Sequence, residues 1–81
     1  MSGTHGVDVE AARAFVANVL ELPLEAVPCD GGVETIPAWD SLGHVRILLA
    51  IEAETGHALD SELIAGLRTV EDVARALAAR A

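Results

Sequence analysis

Asp40, Ser41 and His44 are residue types that together perform nucleophilic chemistry, because a serine hydroxyl becomes reactive when a base takes its proton and an acid orients that base. Their spacing argues against this reading. On one helix His44 lies about 60° around the axis from Ser41, Asp40 sits where a cap belongs, and 81 residues leave little for an oxyanion hole and a substrate pocket. No catalytic residue is assigned. The position of Ser41 favours a different chemistry. With Asp40 as N-cap, Ser41 is the first helical residue, so its hydroxyl stands at the positive end of the helix dipole beside backbone N–H groups with no intrahelical acceptor. A phosphate carried there is electrostatically favoured. Asp-Ser at a helix start is also common capping chemistry, so position alone does not single this serine out. Other candidates carry less. Cys29 is the single cysteine and closes no internal disulfide. No cysteine and histidine spacing suits a structural zinc, and Asp30-Gly31-Gly32-Val33-Glu34 lacks the alternating oxygen ligands of a calcium loop, so no metal site is assigned. His5 and His57 read as solvated, His44 as a histidine at the edge of the core, and Trp39 as an anchor for the approach to Ser41.

The composition bounds the elements that must position Ser41. Hydrophobic residues make up 52% of the chain, but there is one Phe, one Trp and no Tyr, so the interior is built from Ala, Val, Leu and Ile. That predicts one small folded domain over residues 1–81, with residues 1–7 disordered. The longest strictly apolar run, from Ile47 to Ile51, is far short of a membrane span, and the first residues lack the basic and apolar regions of a signal peptide. The expected location is cytoplasmic. Thirteen acidic residues against five Arg and no Lys give a net charge of −8, which disfavours nucleic acid and anionic membrane surfaces as partners.

Apolar residues at Val9, Ala12, Phe15, Val16, Val19 and Leu20 follow helical spacing and predict a first helix from about Asp8 to Glu21. Residues 23–40 hold Pro23, Pro28, Pro37 and the pair Gly31-Gly32, yet Leu24, Val27, Val33, Ile36 and Trp39 recur through them. This is a long loop pinned to a core. Asp40 caps a second helix from Ser41 to Thr55, which Gly56 ends. Asp60 caps a short third helix through Leu67, with Leu59 and Ile64 as a hydrophobic staple. Thr69 and Asp72 form a capping box for a fourth, whose apolar stripe is Val70, Val73, Ala74, Leu77 and Ala78. The expected fold is all-α, a small four-helix bundle with one short helix and a long loop between helices one and two.

The second helix carries two apolar stripes. With Ser41 at 0°, Ile47, Leu48 and Ile51 fall between about 240° and 340°, whereas Leu42, Val45 and Leu49 fall between about 40° and 100°. A domain this small buries one of them. The first reads as core, which leaves Leu42, Val45 and Leu49 exposed beside Ser41, Arg46 and Glu52, the pattern of a docking surface. The alternative is that loop 23–40 folds over this second stripe and buries it.

The segment Trp39-Asp40-Ser41-Leu42-Gly43-His44-Val45-Arg46-Ile47-Leu48-Leu49-Ala50-Ile51-Glu52 resembles the phosphopantetheine attachment region of acyl carrier proteins. Asp-Ser-Leu is the heart of that motif, and the likeness extends over residues 8 to 80, strongest over 36 to 56. It implies a carrier and not a catalyst. In such proteins a phosphopantetheinyl transferase moves 4′-phosphopantetheine from coenzyme A onto the serine hydroxyl, with magnesium, and the thiol of the arm then holds an acyl group as a thioester. Carried over to this chain, the resemblance makes Ser41 the attachment residue with Asp40 beside it. It makes Leu42, Val45, Arg46 and Leu49 the surface read by partners: the transferase, an acyl- or aminoacyl-loading enzyme, and a downstream synthase or transferase. A monomer is implied. Where many fatty-acid carriers have acidic residues early in this helix, the chain has Gly43, His44 and Arg46, and where peptide-synthetase carriers have Gly-Gly-His-Ser or Gly-Gly-Asp-Ser it has Ala38-Trp39-Asp40-Ser41. The form is most similar to discrete carriers of secondary-metabolite pathways, which load acyl, hydroxyacyl or aminoacyl units. A peptidyl or aminoacyl carrier of a nonribosomal peptide pathway is the alternative within the class. A non-carrier acidic adaptor that uses Leu42, Val45 and Leu49 to hold a partner helix is the alternative outside it.

Overall fold

The computed structural model describes residues 8–56 and 58–78, and the expectations for residues 1–7, His5 and His57 lie outside them. The described chain is all-α: α1 (Val9–Leu20), α2 (Ser41–Thr55), α3 (Ser61–Gly66) and α4 (Val70–Ala78), with one turn of 3-10 helix at Leu24–Ala26 that the proline spacing did not predict. Each α-helix begins at a side chain that accepts the backbone N–H three residues on. Asp8 accepts from Ala11, Asp40 from Gly43 and Asp60 from Leu63. At α4 the Thr69 hydroxyl accepts from the Asp72 N–H at 3.1 Å while the Asp72 carboxylate accepts from the Thr69 N–H at 3.1 Å, a reciprocal capping box. The ends are equally local. Gly56 (φ 77) closes α2, and Glu21 closes α1 in the same left-handed region (φ 60), where a glycine is the usual residue.

α1 packs against both α2 and α4, and those two meet each other. The core they enclose takes Ala12, Val16, Ala17 and Leu20 from α1, Ile47 and Ile51 from α2, and Val70, Val73, Ala74 and Ala76 from α4. Ala76, not Ala78, completes the α4 contribution, since Ala78 is exposed. α3 is peripheral: none of its residues is fully buried, and Leu63 and Ile64 are half-buried. No helix among the described residues is long and apolar enough to cross a membrane.

The connection from α1 to α2 adds Val27, Ile36 and Trp39 to the core and is tied down at both ends. Near its start the Arg13 guanidinium donates to the carbonyls of Val27 and Leu24 while pairing with Glu10 at 2.9 Å. Further on, an isolated antiparallel bridge pairs Gly32 with Thr69: the Val33 N–H donates to the Arg68 carbonyl and the Val70 N–H to the Gly31 carbonyl, both at 2.9 Å. A Cβ at Gly32 would collide with the Arg68 carbonyl oxygen, so the bridge requires glycine there.

Glycine is required for the same reason at Gly43, inside the first turn of α2. A Cβ at that position would run into the backbone carbonyl oxygen of Ala38 and stand 3.1 Å from Leu20 Cδ2. Helix propensity and packing therefore predict opposite signs for Gly43→Ala. Propensity alone favours Ala by about 1 kcal/mol, whereas forcing a methyl against fixed backbone costs roughly 1–3 kcal/mol. We expect Gly43→Ala to lower the melting temperature by several degrees in a thermal melt followed by circular dichroism; an unchanged or raised value would show that Ala38 does not pack against α2.

Candidate functional site

Asp40 is extended (φ −93, ψ −165), and its Oδ1 accepts the Gly43 N–H at 2.9 Å, which makes Ser41 the first residue of α2 with its side chain exposed. The backbone N–H groups of Ser41 and Leu42 have no acceptor among the described residues. The first turn of α2 also holds no acidic residue, whereas those of α1, α3 and α4 hold Glu10, Glu62, and Glu71 with Asp72. Negative charge at this helix start meets the positive end of the dipole with Asp40 as its only acidic neighbour in sequence.

One turn on, His44 is half-buried and its Nδ1 accepts the indole N–H of Trp39 at 3.1 Å. Trp39 is 2% exposed, so its N–H is satisfied by this bond in place of water. An imidazole nitrogen that accepts carries no proton, which places the neutral ring's proton on Nε2. The arrangement is the reverse of a serine triad, where the acid holds Nδ1–H and Nε2 takes the serine proton. Here Asp40 is occupied by Gly43 and the His44 nitrogen nearer the backbone is occupied by Trp39. Ser41 and His44 instead share a cleft of about 280 Å³ with Trp39, Asp40, Val33, Ile64 of α3 and, from the α3–α4 connection, Leu67 and Arg68. A larger groove of about 620 Å³ runs between α1 and α4 past Phe15 and Leu77, with no nucleophile or base on its walls beyond the carboxylates of Asp8 and Glu54.

The two stripes of α2 separate as their angles predict. Ile47 and Ile51 are fully buried, while Leu42, Val45 and Leu49 are 68%, 48% and 60% exposed. Loop 23–40 does not cover them, because Ile36 and Trp39 turn into the core instead. Arg46 lies along one edge of the exposed stripe, 3.4 Å from Glu21 at the end of α1. On the other edge Glu52 accepts the Leu59 N–H at 3.1 Å. The structure thus brings Asp40, Ser41, Leu42, Val45, Arg46 and Leu49 onto one exposed helix surface. Sequence reasoning missed the Trp39–His44 bond and the presence of Arg68 in the cleft; neither a five-residue spacing nor a distant arginine announces itself without the fold. Cys29 is exposed, with Sγ 3.4 Å from Glu10 Oε2. No group of three His, Cys, Asp or Glu among the described residues is placed to hold a metal.

Compared with known proteins, the chain matches no family model, no curated protein and no solved structure.

Ser41 follows the cap and is not itself the cap, so the two residues separate by mutation. We expect Ser41→Ala to leave the melt unchanged or slightly raised, since Ala is the better helix former, and Asp40→Ala to lose about 1 kcal/mol. Circular dichroism melts of the pair test this, and a Ser41→Ala protein that unfolds would give the serine a structural role.

Proposed function

We propose that the protein is an acyl carrier whose Ser41 bears 4′-phosphopantetheine, in the carrier type of four-helix bundle, serving a secondary-metabolite pathway in the cytoplasm as a monomer. The observation that carries this reading is the coincidence on one helix of an exposed serine at the first position and an exposed apolar stripe running away from it. The Asp-Ser-Leu context supports the same serine.

In the loading reaction a bond forms between Ser41 Oγ and the phosphorus that bears pantetheine, and the pyrophosphate bond of coenzyme A breaks to release adenosine 3′,5′-bisphosphate. The serine proton passes to a base on the transferase, since Asp40 Oδ1 and His44 Nδ1 are already engaged within the domain. The free N–H groups of Ser41 and Leu42 favour the negative charge that the phosphodiester places at this helix start. Once attached, the arm supplies a thiol that holds the acyl or aminoacyl unit as a thioester. Leu42, Val45 and Leu49 bury against each partner in turn, whether transferase, loading enzyme or downstream synthase, with Arg46 at their edge. With no carboxylate on α2 before Glu52, enzymes whose basic patches read acidic carriers bind it weakly. The adaptor reading rests on the exposed stripe alone and asks nothing of Ser41.

Intact-mass analysis after incubation with a broad-specificity phosphopantetheinyl transferase, magnesium and coenzyme A separates the two. The expected gain is one phosphopantetheine, absent in Ser41→Ala. Of the other serines, Ser61 also follows an aspartate, but Glu62 stands where the motif has leucine. No gain, or a gain at Ser61, overturns the carrier reading. Leu49→Ala and Arg46→Glu should slow transfer to or from the cognate enzyme while changing stability by less than about 0.5 kcal/mol. A loss of roughly 2–5 kcal/mol in Leu49→Ala would mark it as a core residue instead.

A further inference from the structure

We propose that Trp39 holds His44 in its Nε2–H tautomer so that the imidazole donates a hydrogen bond to the phosphodiester carried on Ser41. The inference rests on the carrier reading and assigns His44 and Trp39 as positioning residues for the arm. Trp39 is 2% exposed and its indole nitrogen is a donor only, so burial obliges it to find an acceptor. That acceptor is His44 Nδ1, at 3.1 Å. The second ring nitrogen then carries the proton, and it finds no acceptor among the described residues.

Helix geometry places the ring that carries this unused donor close to the start of α2, within reach of a group that extends from Ser41. Residues three apart in sequence are neighbours on a helix face, and side chains lean towards the helix N-terminus, so His44 overlies the turn that begins at Ser41. Both residues line the same cleft. Two charged residues line it: Asp40, whose Oδ1 is engaged by the Gly43 N–H, and Arg68, whose guanidinium pairs with Glu34 at 3.6 Å. A phosphodiester has only acceptor oxygens and one negative charge. It therefore complements an imidazole N–H donor that has no other partner.

The experiment uses protein labelled with ¹⁵N at histidine, at a pH where the spectrum shows His44 neutral. Two- and three-bond ¹H–¹⁵N correlations in the unmodified protein should show the proton on Nε2, and loading of Ser41 should shift the Nε2 resonances. Because Trp39→Phe perturbs a buried residue, the variants are made at His44. His44→Asn keeps an acceptor near the indole and loses the distant donor, whereas His44→Gln keeps the reach of the donor. In the loaded proteins the ³¹P resonance of the phosphodiester should move in His44→Asn towards that of a phosphopantetheinylated peptide, and stay near the wild-type position in His44→Gln. The Trp39 indole resonance should hold in His44→Asn. A proton found on Nδ1, a His44 spectrum untouched by loading, or an unmoved ³¹P resonance in His44→Asn overturns the inference. Mass gain with a silent His44 sinks this inference alone, and absence of mass gain sinks the carrier reading and this inference together.

Discussion

The place of Ser41 depends on the backbone of Ala38 lying directly against α2 at Gly43. Three segments meet there: the end of α1 through Leu20, the last residues of the long connection, and the first turn of α2. Because Gly43 has no side chain, the connection reaches the helix surface closely enough for Trp39 to turn inward while Asp40 remains exposed to cap the helix. A bulkier residue would push the connection off α2. The cap, the indole bond to His44 and the orientation of Ser41 would then be disturbed together, since all three are made by consecutive residues crossing that contact.

The connection could not hold such a position by sequence-local forces. Ordering a residue costs about 1–2 kcal/mol of backbone entropy, and the connection's own backbone bonds, such as Ala26 to Pro23, Gly31 to Pro28, Ile36 to Gly32 and Trp39 to Ile36, close separate single turns and form no continuous ladder. Contacts with the rest of the domain set where those turns lie. Arg13 grips its first part through two carbonyls, the Gly32–Thr69 bridge grips its middle, and Val27, Ile36 and Trp39 plug it into the core. That bridge also ties the connection to the segment that carries Arg68 and Leu67, which is how a residue far along the chain comes to face the cleft at Ser41.

How much of this was legible in the sequence follows from whether each feature is local. The caps at Asp8, Asp40 and Asp60, the box at Thr69 and Asp72 and the stop at Gly56 involve residues within four positions of each other, and each stands where its residue type predicts. The division of α2 into a buried and an exposed stripe was legible as well, because it needs only the helical period and the knowledge that a small domain buries one side. The bridge at Gly32 was not legible, since a paired glycine reads as flexibility until a carbonyl from the far end of the chain is seen against it. Nor was the left-handed Glu21, where a charged residue takes a conformation that glycine adopts more readily and sets its carboxylate beside Arg46.

An exposed stripe of three large apolar residues has to be weighed against what the domain gives up by exposing it. Fully burying one such side chain is worth about 1.5–3 kcal/mol, in molecules whose whole stability is about 5–15 kcal/mol, so a helix selected for stability alone would not carry Leu42, Val45 and Leu49 outward. Their value under the carrier reading is metric. At 1.5 Å per residue, Leu49 lies about 12 Å along the helix axis from Ser41, and α2 packs against both α1 and α4. A partner that buries the stripe therefore fixes how far its own surface stands from the serine, and the unlike edges, an Arg46–Glu21 pair on one side and Glu52 on the other, fix the rotation about the axis. Under that reading, docking on α2 would set where an arm on Ser41 begins, and the length and flexibility of the arm would have only to cover the remaining distance.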